Sequence, residues 1–331
     1  ALTDADSNVA VGYLALSADT LGSLSTAIGR AALANQNLTS ATNSFNTAVG
    51  GGAGEAVTTG VQNTLIGGLA GDSLTDADQN TYIGYNAGGS DDLGSKNVGV
   101  GSGALASLNY AGATDGFNVA VGLNALGQQT TAVQNTASGN SAGGAITTGS
   151  YNICIGNAAA NHNAPLTTGG GNVIIGAYAD TSAAAAVSQI ALGYNVSCIG
   201  NGNFTFGYEA NDSNIANGAT SISAPSDIRL KEDIKDETVG LDFINELRPV
   251  TFRWRKAKDV PPEMKVHDQN SDERVMNGKY NHGFIAQEVK ETLDKYDIKD
   301  GFGMWSEDEA DGRQRIAESA IVSILVKAVQ E

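Results

Sequence analysis

Basic residues are almost missing from the first two thirds of the chain. Residues 1–220 hold only Arg30 and Lys96 of the 19 Lys and Arg, against 13 of the 36 Asp and Glu. With a net charge of −17, the chain cannot lay down the cationic stripe that a phosphate backbone requires, which argues against nucleic-acid binding. No run of about 18 apolar residues occurs, so no membrane insertion is expected. Two cysteines, Cys154 and Cys198, make neither a disulfide framework nor a structural zinc site. Three scattered histidines, His162, His267 and His282, show no metal-ligand spacing, so neither metal nor cofactor is expected. No charged-then-apolar start resembles a signal peptide, and the chain opens in mid-pattern at Ala1, so more sequence is expected before it.

What is present is unevenly distributed. Of the 42 glycines, 36 precede residue 221, whereas residues 221–331 carry 17 basic and 23 acidic side chains, both tryptophans and four of the five prolines. A length of 331 residues, at roughly 150 per domain, suggests about two domains. The composition places their boundary between a repetitive shaft or head, residues 1–220, and a second domain, residues 221–331.

The first part is a repeat. The phrase Asn-x-x-apolar-Gly-x-x-Ala places glycines at 12, 29, 50, 67, 84, 101, 122, 139, 156, 176, 193 and 207, with a base step of 17 residues, longer steps of 20 or 21 and a last step of 14. The residue before the glycine is apolar in eleven of twelve copies, Ser138 being the exception. Alanine stands three after it in eleven copies, and asparagine four before it in ten. Apolar residues at alternate positions, as in Val9 and Val11 or Val173 and Ile175, predict a short strand. The glycine permits a positive φ or a close backbone approach where that strand turns.

A 17-residue unit cannot bury its own apolar face, so copies must stack with strands about 4.8 Å apart, giving a rod on the order of 55 Å long. The asparagine column predicts a ladder in which each amide bonds to the next. The expected core is a thin one of Ala, Val and Ile, too small for a lone coil, so several chains are expected to share the axis. The phrases NVAVGYLAL, NTLIGGLAG, NVAVGLNAL and NVIIGAYAD resemble the head repeats of trimeric autotransporter adhesins and the shaft repeats of phage tail fibres. That resemblance covers about residues 8–210 and implies a trimeric β-roll or β-helix. The unit of 17 is longer than is usual in those adhesin heads.

After residue 219 the period changes. A helix is predicted over residues 238–247, ended by Pro249. A half-buried strand follows through Val250, Phe252 and Trp254, then a polar excursion over 256–280. A second strand is expected over 283–286, a helix over 287–296, and an amphipathic helix over 315–330 that carries Ile316, Ala320, Ile321, Ile324, Leu325 and Ala328 on one stripe and reads as the start of a coiled coil. The domain is therefore α+β and the chain as a whole mainly β.

Four blocks stand out in this part: Ser226-Asp227-Ile228-Arg229-Leu230-Lys231; Gly240-Leu241; Leu247-Arg248-Pro249-Val250 with Trp254; and Gly283-Phe284-Ile285-Ala286-Gln287-Glu288-Val289. In that order they resemble the C-terminal intramolecular chaperone of endosialidase-type phage tailspikes and tail fibres, a domain that also occurs in myelin regulatory factor. The resemblance implies a homotrimer whose chaperone brings a β-helical stem into register and then cuts itself off. It puts the cut at Pro225–Ser226, with Ser226 as nucleophile, Lys231 as its partner, and Asp227 and Arg229 in support. The implied activity is a single-turnover self-cleaving endopeptidase.

A serine hydroxyl needs a base to take its proton, and a lysine serves only if burial lowers its pKa. Five residues apart, Ser226 and Lys231 lie about 140° apart on a helix and on opposite faces of a strand. The dyad therefore needs a bent segment or a neighbouring chain. On the residues alone, Ser226 and Asp227 read as a turn or helix cap and Lys231 as a solvated charge. Asp227 and Arg229 read as holders of that turn or as an interchain ion pair. Trp254 reads as core, His282 as structural, the acid run from Glu307 to Asp311 as a solvated loop, and Cys154 as a packed thiol.

For the whole chain the expected role is a phage tail fibre or spike in the virion, assembled in the host cytoplasm. Its longer steps, around residues 36–44 and 108–116, would meet a host surface receptor, glycan or protein. The alternatives are a bacterial trimeric surface adhesin, which would end in a membrane-anchor barrel, and a fibre that keeps its chaperone uncleaved. A glycan-degrading spike would need paired acids in a cleft, and residues 1–220 offer no convincing pair.

Overall fold

The computed structural model describes residues 5–298 and 302–331. They form two compact units, Ala1–Ser226 and Asp227–Glu331.

The repeat becomes a β-solenoid with one turn per copy. Twelve strands, from Val9–Val11 to Asn203–Tyr208, pair in parallel along one face, and an antiparallel strand, Asn211–Ala216, closes the sheet as its thirteenth member. Register is strict: Ala10 faces Ala27, Ala27 faces Ala48, Ala48 faces Leu65, and Leu65 faces Tyr82. The glycine after each strand is forced in two ways. Gly67 has a φ of +135°, and a Cβ there would lie 2.4 Å from the carbonyl oxygen of Gly84 on the next turn. Coil-to-coil hydrogen bonds continue outside the sheet, for example from Gly54 N–H to Ala70 O at 2.9 Å and from Thr58 N–H to Thr75 O at 2.8 Å. The main chain is thus satisfied along the axis.

The expectation of a thin core shared between chains is corrected here, because each turn closes its own interior. The middle residue of each strand points inward, so Ala27, Ala48, Leu65, Tyr82 and Ile174 are fully buried. Leucines on the turns, among them Leu33, Leu74, Leu105 and Leu126, fill the rest. Size is matched locally: Tyr82 fits because Gly88 and Gly99 bring no side chains against it, a Cβ at Gly88 lying 2.3 Å from the ring. Strand alternation then obliges the residues either side of the middle one to face outward. Val11, Ile28, Ile66, Val121, Ile155 and Leu192, read from the sequence as core, are exposed.

The asparagine ladder exists with a different geometry. The side-chain oxygens of Asn46, Asn63 and Asn80 accept from the main-chain N–H of Asn63, Asn80 and Asn97, each at 2.9 Å. The amide nitrogens turn the other way, Asn63 Nδ2 donating to Ala77 O at 2.8 Å and Asn80 Nδ2 to Gly94 O at 2.7 Å. At Asn63 and Asn80 both ends of the buried amide are therefore used on main chain, whereas Asn118 Nδ2 and Asn172 Nδ2 also donate to the amide oxygen of the preceding copy, Asn97 at 3.0 Å and Asn152 at 2.9 Å, as the ladder predicts. The two 21-residue steps add short parallel pairs, Gly22–Ser23 with Thr42–Asn43 and Gly94–Ser95 with Thr114–Asp115.

The unit Asp227–Glu331 is α+β and ends in a helix. Helices α1 (Leu241–Glu246), α2 (Ala286–Lys295) and α3 (Val322–Gln330) surround Phe243, Leu247, Val289, Leu293, Met304, Ile321 and Ile324. Two hairpin-like pairs complete it, Val250–Phe252 with Asn281–Gly283 and Trp305–Glu307 with Gln314–Ile316. The predicted helix over 315–330 is thereby shortened. Arg315 and Ile316 lie in a strand, and Glu318–Ile321 is a 3-10 turn. The cause is Asp308, whose carboxylate accepts from Arg313 at 2.9 Å and from Arg315 at 2.6 Å and so pins the hairpin. Trp254 is half-buried, edge-on to Phe252, and lies outside this core.

Candidate functional site

The segment expected to carry chemistry begins where one compact unit ends and the next starts, at Ser226 and Asp227. Ile228–Leu230 forms a single 3-10 turn. Asp227 is its N-cap: its carboxylate accepts from Arg229 N–H at 2.8 Å, and Leu230 N–H donates to Asp227 O at 3.0 Å. Lys231 closes the turn, its N–H donating to Ile228 O at 3.1 Å. The Asp227 carboxylate also takes the Arg229 guanidinium, with Nε 3.0 Å from Oδ1. The Arg229 hydrogen bonds, side chain first and then main chain, hold Asp227 below the usual carboxylate range, and the same contact raises Arg229.

Asp227 and Arg229 are thus brought together within one chain. Ser226 and Lys231 flank the bent segment, and both are solvent-exposed. Pro225, Ser226 and the four residues before them lie on the surface as well. The chain upstream of the bond is anchored, a feature that nothing in the sequence signals: Ser223 exchanges two main-chain hydrogen bonds with Asn214 of the closing strand, each 2.8 Å.

The other blocks are tied to one another within the unit Asp227–Glu331. Leu247 is buried against the core that holds Val289. Arg248 Nε donates to Glu288 at 3.0 Å, which ties the end of α1 to the start of α2. Val250 pairs with Gly283 and Thr251 with His282. The Glu331 carboxylate accepts from Leu241 N–H at 2.8 Å and caps α1, lying against Gly240, where a Cβ would stand 2.6 Å from it and push that side chain aside. Spacing alone could not have shown this, since the two groups lie 90 residues apart.

Among the described residues no group of three or more His, Cys, Asp and Glu is placed to hold a metal, and no helix is long and apolar enough to cross a membrane. Cys154 is fully buried in the middle of its strand, and burial pushes its thiol up to about 12, so it is a packing group.

No curated protein and no solved structure matches the chain. Residues 226–298 match the family model described as the chaperone of endosialidase, and this part of the chain, starting at the serine that opens the first block, is an endosialidase-type chaperone domain behind a β-solenoid.

Proposed function

We propose that the chain is a subunit of a phage tail fibre or spike that assembles as a homotrimer and then cuts itself once, between Pro225 and Ser226. A β-solenoid joined to an endosialidase-type chaperone is the build of a fibre-like protein. One observation carries the cleavage reading. The family match begins at Ser226, and the compact units divide between Ser226 and Asp227. A cut at Pro225–Ser226 therefore severs no helix, no strand and no core.

In the proposed reaction the Ser226 hydroxyl oxygen adds to the Pro225 carbonyl carbon while the Lys231 amine takes its proton. The carbon–nitrogen bond breaks, and that proton passes to the Ser226 nitrogen, which becomes a free amine. The resulting Pro225 ester on the Ser226 oxygen is then hydrolysed by one water, leaving a Pro225 carboxylate and the free hydroxyl. Lys231 is exposed in the single chain, and a lysine serves as base only when burial or nearby positive charge depresses it. Sister chains would supply that burial, so cleavage would report completed assembly.

The trimer reading rests on the outward sheet face. Its exposed column runs from Val11 and Ile28 through Ile66, Val121 and Ile155 to Leu192, in register along the sheet. The outward face is two residues wide and about 55 Å long, on the order of 400 Å²; its second column interleaves Val9, Val119, Ile153 and Ile190 with Thr26, Thr47, Thr64, Thr81 and Thr136, so the apolar share is one long stripe. Helix α3 exposes a second apolar face through Val322, Leu325, Val326 and Val329. The receptor, glycan or protein, would be met by the loops of the long steps. At one of these Lys96 pairs with Asp115 at 2.5 Å.

The test is a denaturing gel beside a native mass measurement. Ser226→Ala and Lys231→Met are expected to stay full length while still forming a particle of about three times 33.8 kDa by light scattering. Release of the same fragment by Ser226→Ala would refute the nucleophile, and a monomer would refute the homotrimer.

A further inference from the structure

A peptide bond is cut efficiently only when its carbonyl is held in place, and the carbonyl in question belongs to Pro225. Two residues before it, Ser223 is held by three hydrogen bonds although its segment is exposed. Ser223 N–H donates to Asn214 O and Asn214 N–H to Ser223 O, both at 2.8 Å, and Ser223 Oγ donates to the same Asn214 oxygen at 3.2 Å. Asn214 is itself fixed. It lies in the closing strand Asn211–Ala216 opposite Thr205 of the last parallel strand, only 7% exposed, with its Nδ2 donating to Thr205 Oγ1 at 3.2 Å. Thr205 is fully buried in the final turn of the solenoid.

From this anchor the chain has little freedom. Ala224 precedes a proline and is confined to extended conformations, and the Pro225 ring sets its own φ. Two residues span at most about 7 Å, so the scissile carbonyl cannot stray far from the end of the shaft.

We infer that the main-chain pair between Ser223 and Asn214 positions the Pro225 carbonyl for attack, so that self-cleavage requires the last turn of the solenoid to have formed. The inference rests on the self-cleavage reading above. Ser223 and Asn214 act through the backbone they hold and are positioning residues. Formation of the closing strand on Asn203–Tyr208 is the last step of solenoid closure in the chain direction, and the anchor exists only once that strand is paired. The cut would then sense the shaft directly as well as the assembled chaperone.

The experiment follows cleavage of the full chain over time on denaturing gels. Ser223→Pro removes the donated N–H. It is expected to slow the cut about a hundredfold, the cost of a small misplacement of reacting groups. The conservative Ser223→Ala keeps that N–H and restores the rate to within about threefold, since less than 1 kcal/mol is at stake. A second variant guards against misfolding. Two alanines inserted between Ala224 and Pro225 leave the anchor intact and lengthen the tether. The insertion is expected to suppress cleavage about as strongly, with native mass and shaft melting unchanged, a separation that a purely structural role would not produce. If Ser223→Pro and the insertion both cut at the wild-type rate while Ser226→Ala stays whole, the positioning role is overturned and the self-cleavage reading survives. If Ser226→Ala is also cut, both fall.

Discussion

Lowering the pH from 7 to 4 should stabilise the solenoid, and a single buried carboxylate supplies much of the effect. Asp91 is fully buried, where its Oδ2 accepts from Tyr82 Oη at 2.6 Å and its Oδ1 from Gly94 N–H at 2.9 Å. Those bonds favour the charged form, yet desolvation outweighs them and moves the group from 3.8 to about 6. Between those values the folded chain holds a proton that the unfolded chain has released, so stability falls as pH rises through the window. About two pKa units correspond to about 3 kcal/mol at pH 7, regained on acidification to pH 4. Asp72 and Asp212 are raised by burial and act in the same sense.

The second unit has the opposite chemistry. Asp227, Glu246, Glu288, Asp308 and Glu331 are all lowered by hydrogen bonds, and Asp272, between Lys256 and Lys258, is lowered to about 2. Their contribution is present above the ordinary carboxylate range and is lost as pH falls from about 4.5 toward 2. The units can be followed separately, because both tryptophans, Trp254 and Trp305, lie in the second. Far-UV circular dichroism should show the shaft midpoint rising from pH 7 to 4. Tryptophan fluorescence should show the chaperone unit unchanged to about pH 4.5 and its melting midpoint slightly lowered below that, since exposed pairs are screened by solvent. Asp91→Asn should remove most of the shaft's slope. A shaft less stable at pH 4.5 than at 7, or an unchanged slope in Asp91→Asn, would refute the assignment.

Gly67→Ala places a Cβ 2.4 Å from Gly84 O at a φ of +135° and should cost about 4 kcal/mol, whereas Gly51→Ala, with nothing within 4 Å, should stay within about 0.5 kcal/mol. Paired thermal melts decide it, and equal midpoints would show that the glycine column is not sterically required. Asn80→Ala strands the buried Asn97 N–H and Gly94 carbonyl and should cost about 2–5 kcal/mol in a denaturant titration. A loss under 1 kcal/mol would mean that water replaces the amide.

The period, the strand position and the glycine corner were all legible, because each repeats in a column whose chemistry has one local cause. The inward and outward faces were not. Val9 and Val11 alternate as a core pair would, and only the turn that carries Leu16 and Leu33 shows that the interior lies on the side of Ala10 and Ala27. Further corners were hidden as well. Leu33, Leu105 and Leu126 take left-handed φ values near 50°, a conformation that no leucine announces and that only their complete burial sustains. In the second unit the helix over 315–330 was overcalled because its apolar spacing is compatible with a strand followed by a shorter helix. The deciding bonds run from Asp308 to Arg313 and Arg315, and their geometry is not written in a spacing. The candidate site divides likewise. The block from Ser226 to Lys231 is local and could be seen, whereas the anchor at Asn214 is a tertiary pairing between two ordinary residues.

Register links these features. Each glycine corner rests on the carbonyl of the glycine one turn further on, so a turn cannot slip by one residue without driving Cβ atoms into that contact and turning Tyr82 or Leu65 outward. The price of this fixed register is an apolar sheet face that one chain leaves in water. Covering its apolar half, on the order of 200 Å², would return on the order of 5 kcal/mol per chain before association and ordering costs. A sheet with such a face is prone to pair wrongly while it forms. If the proposed trimer forms, a chaperone that leaves only after the last turn is paired would guard against that hazard. On this account, uncoupling the cut from closure of the final turn should yield cleaved but misregistered shafts, distinguishable by their lower melting point from those released by the unaltered chain.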